Sequence, residues 1–157
     1  MDLQALSPVP WANIYHLGMV VPDAERAARE IGSQLGVTFG QPRPVTVGVR
    51  ENGRVSKQTV IVAFCHEGPP YIELIEGAGS GIWTAEGGAR MHHAGIWVDD
   101  LAAEVARLVA DGMRIEAQGA DADGNLSLFA YMRNEFGLRI ELVDSSGRDG
   151  FIDRITA

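Results

Sequence analysis

Cysteine is nearly absent from this chain of 157 residues: Cys65 is the only one. A single thiol cannot close a disulfide within the chain, nor can it build a thiolate metal site by itself. Long apolar runs are missing as well. No stretch approaches the roughly 20 residues needed to span a bilayer, and Met1 to Asn13 lacks the basic-then-apolar pattern of a signal peptide. The expectation is a cytoplasmic protein without a membrane partner. Positive charge is scarce: 13 Lys and Arg stand against 21 Asp and Glu, a formal net charge of −8 with no basic cluster. Such a surface repels phosphate backbones, so no nucleic-acid partner is expected. A small anionic substrate is not excluded, because a bound metal would set the local field. With 46% apolar and 22% charged residues the chain is not disordered.

What is present is an internal repeat. The segment His16-Leu-Gly-Met-Val-Val-Pro-Asp23 matches His93-Ala-Gly-Ile-Trp-Val-Asp-Asp100, with His, Gly, Val and Asp in common. A helical pattern follows each. Ala24, Ala27, Ala28, Ile31 and Leu35 share one face in the first, and Leu101, Val105, Leu108 and Val109 in the second. Asp23 and Asp100 stand at the N-cap positions, and Gly36 and Gly112 where each helix should end in a left-handed residue. Strands come next, at Val45 to Arg50, Thr59 to Cys65 and Tyr71 to Ile75, then at Arg114 to Glu116, Leu126 to Arg133 and Leu138 to Val143. The last strands match again, Ile72-Glu73-Leu74-Ile75 with Ile140-Glu141-Leu142-Val143. Each half reads βαβββ, with a His on its first strand and a Glu on its last. The His-to-Glu stretch is longer in the first half, and the excess is expected in the hairpin around Asn52-Gly53, where loop length costs little.

Strand alternation explains why these four residues should meet. Leu17, Met19 and Val21 flank His16 on the opposite face, and Ala94, Ile96 and Val98 flank His93. Ile72 and Leu74 flank Glu73, as Ile140 and Leu142 flank Glu141. All are apolar, so that face is the one the helices cover, and the His and Glu side chains point into the cup of the sheet. By the same alternation His92 points away from His93. Trp97 shares the His93 face, and Trp97 and Tyr131 are candidates for lining a pocket or for core packing. A carboxylate on a half-buried strand is costly unless it is paired or metal-bound, and Arg90 and Arg139 are available for pairing. Yet two carboxylates and two imidazoles recur together, and they balance one divalent cation. His16, Glu73, His93 and Glu141 are therefore the candidate ligands of one ion, with Zn, Fe, Mn, Co or Ni suited to imidazole and carboxylate. Glu141 or Glu73 is also the candidate catalytic base.

The segments HLGMVVPD, YIELIEG, MHHAGIWVDDL and LRIELVD, which span Tyr15 to Val143, resemble the vicinal oxygen chelate superfamily. It includes glyoxalase I, methylmalonyl-CoA epimerase, extradiol dioxygenases and bleomycin-resistance proteins. The resemblance implies an α+β fold: two tandem βαβββ modules forming a cupped mixed β-sheet around a metal. One domain over 1–157 is expected, with modules at about 12–77 and 90–144 and a glycine-rich linker at about 78–89. The family's ligand positions fall on His16, Glu73, His93 and Glu141. A His/Glu/His/Glu set is similar to glyoxalase I, whereas the epimerases usually carry Gln at the position of Glu73. The first helix lacks the Phe-Tyr pair of glyoxalase I, no glutathione-contacting pattern is present, and the region Val45 to Val49 has no counterpart of the epimerase's extra catalytic Glu. The resemblance thus implies a metal-dependent lyase or isomerase acting on a small oxygenated substrate by proton transfer. Its alternatives are a ring-cleaving dioxygenase and a non-catalytic drug-binding protein. The two modules should close on each other within the chain or across a homodimer.

Overall fold

The computed structural model describes residues 11–77 and 79–157. Met1 to Pro10, the greater part of the segment read above for a signal peptide, and linker residue 78 lie outside the described residues. The elements run β1 (Ile14–Val20), α1 (Ala24–Leu35), β2 (Arg43–Glu51), β3 (Arg54–Phe64), β4 (Tyr71–Glu76), β5 (Arg90–Val98), α2 (Leu101–Ala110), β6 (Arg114–Ala120), β7 (Leu126–Arg133), β8 (Arg139–Asp144) and α3 (Phe151–Thr156). The βαβββ order thus occurs twice, as the repeat implied. None of the described helices is long and apolar enough to cross a membrane.

The helices begin and end for local reasons. The Asp23 carboxylate accepts from Arg26 N at 2.9 Å, and that of Asp100 from Ala103 N at 3.0 Å. Each satisfies an amide that the first turn leaves without a partner. The Glu76 carboxylate, at the end of β4, takes the Ala24 amide at 2.8 Å and ties α1 to its sheet. Gly36 and Gly112 end the helices at φ 69° and 96°, where a side chain would be strained.

The eight strands close into a barrel in the order β1-β4-β3-β2-β6-β7-β8-β5. Within each half the first and last strands pair in parallel, β1 with β4 and β5 with β8. The halves join twice within the one chain, antiparallel, through β1–β5 and β2–β6. Outside the sheet, Met19, Val21, Ile72 and Leu74 pack with α1. Ile96, Val98, Ile140 and Leu142 pack with α2. The helix-covered face is therefore the one alternation selected.

Three expectations are corrected. The extra length of the first half is strand, not loop: β2 and β3 pair from Arg43↔Val62 to Glu51↔Arg54 around a two-residue turn. Asn52 and Gly53 have φ 50° and 75°, as a tight hairpin requires. The first residues of β3, RVSK, are exposed, so no apolar alternation marks them. β6 likewise extends beyond Glu116 to Ala120. Finally, residues 79–89 are more than a spacer. Ile82 and Trp83 are 8% and 4% exposed and enter the barrel core with Val49, Val60, Phe129 and Tyr131.

Candidate metal centre

β1, β4, β5 and β8 are neighbours in the barrel and bring His16, Glu73, His93 and Glu141 to one point inside it. One donor atom from each residue lies within 4.8 Å of all the others. His16 Nε2 and His93 Nε2 are 2.8 Å apart. Glu141 Oε2 lies 3.0 Å from His16 Nε2 and 3.2 Å from His93 Nε2; Glu73 Oε2 lies 3.3 and 3.2 Å from them. Arg139 does not neutralise either glutamate: it pairs with Glu116.

This spacing can be tested against an ion. Donors held about 2.1 Å from one metal lie about 3.0 Å apart at octahedral angles and about 3.4 Å apart at tetrahedral ones. The observed separations of 2.8 to 3.3 Å fall close to that range. Glu73 Oε2 is moreover buried with no hydrogen-bond partner among the described residues, although a buried carboxylate oxygen needs one. Donor type, spacing and the unpartnered oxygen all suit a divalent cation.

The four groups shift one another's affinity for protons. Burial opposes a charge on His16, but the neighbouring Glu73 and Glu141 carboxylates outweigh it and raise its pKa to about 9. His93 is raised by the same balance of burial against Glu141 and Glu73. Burial likewise opposes ionisation of the two glutamates, yet the charges of His16 and His93 hold both below the ordinary carboxylate range. Two imidazoles drawn toward the charged form thus face two carboxylates drawn away from the neutral one.

Each histidine ring lies over a glycine of the other half. Gly18 pairs with His93 across the β1–β5 ladder, and Gly95 pairs with His16. A Cβ on Gly18 would come 2.0 Å from His93 Cε1; one on Gly95 would come 1.9 Å from His16 Cε1. No other residue fits there. The signal was in the repeat itself, which keeps Gly two residues after each His.

His92 does not follow alternation. In the β1–β5 ladder Gly18 pairs with His93 but Met19 pairs with Met91, so His92 is the extra residue of a β-bulge. The bulge turns its ring inward with that of His93, where it is 4% exposed. Its Nδ1 lies 2.9 Å from His93 Nδ1 and its Nε2 lies 2.7 Å from the carbonyl oxygen of Ile82. A second shift, where Ile14 pairs with Ile96 but His16 with Gly95, makes Tyr15 the extra residue of β1. Tyr15 is also buried. Its ring meets His16 edge-on at 4.4 Å and stacks on Trp97 at 3.9 Å.

Two environments flank the cluster. On one side Tyr131 packs on His93 at 5.0 Å and accepts the Trp83 indole N–H at 2.9 Å. On the other, the rings of Tyr15 and Phe64 stand against His16 and form the near wall of a cavity of about 770 Å³, which is also walled by Trp97, Leu128, Val143 and Phe151 and touches none of the four clustered residues. Trp97 therefore lines a pocket, whereas Tyr131 belongs to the packed side. Phe151 comes from α3, an element unread from sequence whose signal was the i, i+4 pair Phe151 and Ile155, both buried.

Residues 15–131 match the model of the glyoxalase/bleomycin resistance protein/dioxygenase superfamily. No curated protein matches the sequence. Among solved structures, a hypothetical protein from Bacillus halodurans C-125 is similar at 18% identity and a TM-score of 0.56, over 83% of this chain and 92% of that one. Methylmalonyl-CoA epimerase from Mycobacterium tuberculosis is similar at 16% identity and a TM-score of 0.57, over 88% and 91%. A variant of the Streptomyces coelicolor epimerase in complex with 2-nitronate-propionyl-CoA is similar at 17% identity and a TM-score of 0.59, over 84% and 96%. At these identities the likeness is one of fold.

Proposed function

The chain belongs to the glyoxalase/bleomycin resistance protein/dioxygenase superfamily, and from that premise we propose that it is a metal-dependent enzyme that moves a proton next to a carbonyl of a small oxygenated substrate. The reaction class is that of a glyoxalase-type lyase or an isomerase. In this reading residues 1–157 form one domain whose two modules share the site. The observation that carries it is the convergence of two imidazoles and two carboxylates, one pair from each half, at donor spacings that suit one ion.

His16, Glu73, His93 and Glu141 would hold a divalent ion of the Zn, Fe, Mn, Co or Ni type. Bound there, it supplies a Lewis acid that polarises the substrate carbonyl. The cavity beside Tyr15 and Phe64 takes the apolar body of the substrate and excludes water from it. Glu141 or Glu73 accepts the proton: both are held ionised, and their side chains are 12% and 13% exposed, so neither is sealed off. Tyr131, beside Glu141 in the β7–β8 ladder, stays a neutral phenol because burial and the Glu141 and Glu73 charges oppose a phenolate.

The test needs no known product. Metal-loaded protein is incubated in D₂O with 2-oxo, 2-hydroxy and acyl-thioester compounds, and exchange of the proton beside the carbonyl is followed by NMR. Wild type should exchange at least one class. Glu141→Gln or Glu73→Gln should keep most of the metal and slow exchange by a factor on the order of 10² to 10⁴, the usual worth of a general base. If both variants exchange at the wild-type rate, neither glutamate is the base. The apolar cavity favours one other reading, a small-molecule-binding protein; tight binding of aromatic compounds with no exchange of any class would establish it instead.

A further inference from the structure

The two bonds of the His92 ring fix where the protons of the neighbouring ring lie. A carbonyl oxygen only accepts, so the proton shared by His92 Nε2 and the Ile82 oxygen, 2.7 Å apart, resides on His92. A neutral imidazole carries one N–H, so His92 Nδ1 must accept, and the proton of the 2.9 Å ring-to-ring bond belongs to His93 Nδ1. In a neutral His93 ring, as a metal ligand must be, this leaves a bare lone pair on Nε2, the atom that faces His16 Nε2 and both glutamates.

We propose that His92 is a positioning residue: it relays the backbone carbonyl of Ile82 through its own ring to His93 and locks His93 as the Nδ1–H tautomer, with Nε2 as the metal donor. This rests on the metal-binding reading above and deepens it. The chain carries an extra residue on β5 to bring this ring inside, whereas a ring that only filled space against Tyr131, 5.3 Å away, would need no second polar nitrogen. Protonated His92 would donate from both nitrogens and force the opposite tautomer on His93. The ring is 4% exposed and both of its nitrogens already have partners, the Ile82 carbonyl and His93 Nδ1. The carbonyl at the head of the relay is itself fixed, because Ile82 is buried and adjoins Trp83, whose indole is bonded to Tyr131. Partners of this kind on a ligating imidazole are worth about 10- to 100-fold in metal affinity.

The experiment uses ¹⁵N-labelled protein, both zinc-loaded and metal-free at about pH 10, well above the ordinary imidazole pKa of about 6.5. The chain has four histidines, His16, His66, His92 and His93, so each ring is assignable by single substitution. Wild type should show His93 Nδ1–H and His92 Nε2–H as slowly exchanging protons, with His93 Nε2 bare. His92→Phe keeps the ring volume and removes the relay. It should lower zinc affinity about 10- to 100-fold and abolish the tautomer preference of His93. His92→Gln, whose amide offers an acceptor and a donor at similar separation, should restore most of both. The relay is overturned if wild-type His93 carries its proton on Nε2, or if His92→Phe binds zinc as tightly as wild type. Should His92→Phe fail to fold, the wild-type tautomers alone decide. A wild type that takes up no zinc overturns the metal reading instead, and the spectrum at about pH 10 still tests the relay.

Discussion

The two halves supply the same His and Glu to the cluster but hold them differently. In the second half, His93 is backed by a polar chain running through His92 to the Ile82 carbonyl, with Trp83 and Tyr131 packed behind. In the first, His16 has no such partner: its Nδ1 is buried and unpaired among the described residues, and the ring is held by the edge of Tyr15, by Phe64 at 5.7 Å and by Gly95 beneath it. The polar side is filled by core. The aromatic side opens on the cavity. One imidazole thus lies in a polar, filled surround, and the other beside aromatic rings that border an open cavity.

The largest expected effect removes what the halves share. Gly18→Ala should displace the His93 ring and Gly95→Ala the His16 ring, and each should abolish stoichiometric metal binding by elemental analysis, with overpacking adding about 1 to 3 kcal/mol of destabilisation. Full metal content in either variant would show that the rings can slide and that the interlock is looser than the contacts imply. Next, Trp83→Ala strikes only the packed side. It should cost about 3 to 5 kcal/mol in urea unfolding, as large-to-small changes of buried Trp do, and weaken metal affinity by loosening Ile82.

Metal removal acts on both halves together. An ion that binds only the folded state contributes about 2.7 kcal/mol at a hundredfold excess over Kd, so EDTA should lower the melting temperature of wild type while leaving Glu141→Ala unmoved. In the chelated protein, stability should also depend on pH. The His16 pKa is raised from 6.5 to about 9, so the stability it confers is fully present below pH 6.5 and is lost as pH rises through about 9. Melting of the chelated protein should fall between those limits by the equivalent of at least about 1 kcal/mol, roughly 2 to 4 °C. Metal uptake at pH 7 should correspondingly release protons, seen as a buffer-dependent heat in calorimetry. The smallest effect belongs to the open side. Leu128 lines the cavity and is 60% exposed, so Leu128→Ala should change stability by no more than about 0.5 kcal/mol. A loss as large as that of Trp83→Ala would mean that the cavity wall is core after all.

The repeat made the architecture legible. A His, a capped helix and a Glu in the same order twice told which strands carry the cluster and which face the helices cover, because alternation and helix periodicity are local properties of the chain. The positions of Tyr15 and His92 were not legible. A bulge inserts one residue into one strand, and its signature lies in the partner strand's register, not in the sequence around it. Ile82 and Trp83 were hidden by their glycine-rich setting, although two large apolar residues in a linker are themselves a sign of burial. The outer part of the β2–β3 hairpin reaches beyond the core, where nothing selects an apolar pattern.

The crossed seating of the histidines bears on descent. Each half provides the glycine floor for the other half's ligand, so neither half alone contains a finished site. Two separate copies of one ancestral half, related by a twofold axis, would build the same four-residue centre from equivalent contacts, each copy giving the other what it receives. Joining them in one polypeptide removes the obligation to stay identical. Tyr15 and His92 occupy matching places in the two repeats, and their difference is what such release permits: an aromatic edge against one imidazole, a polar ring against the other.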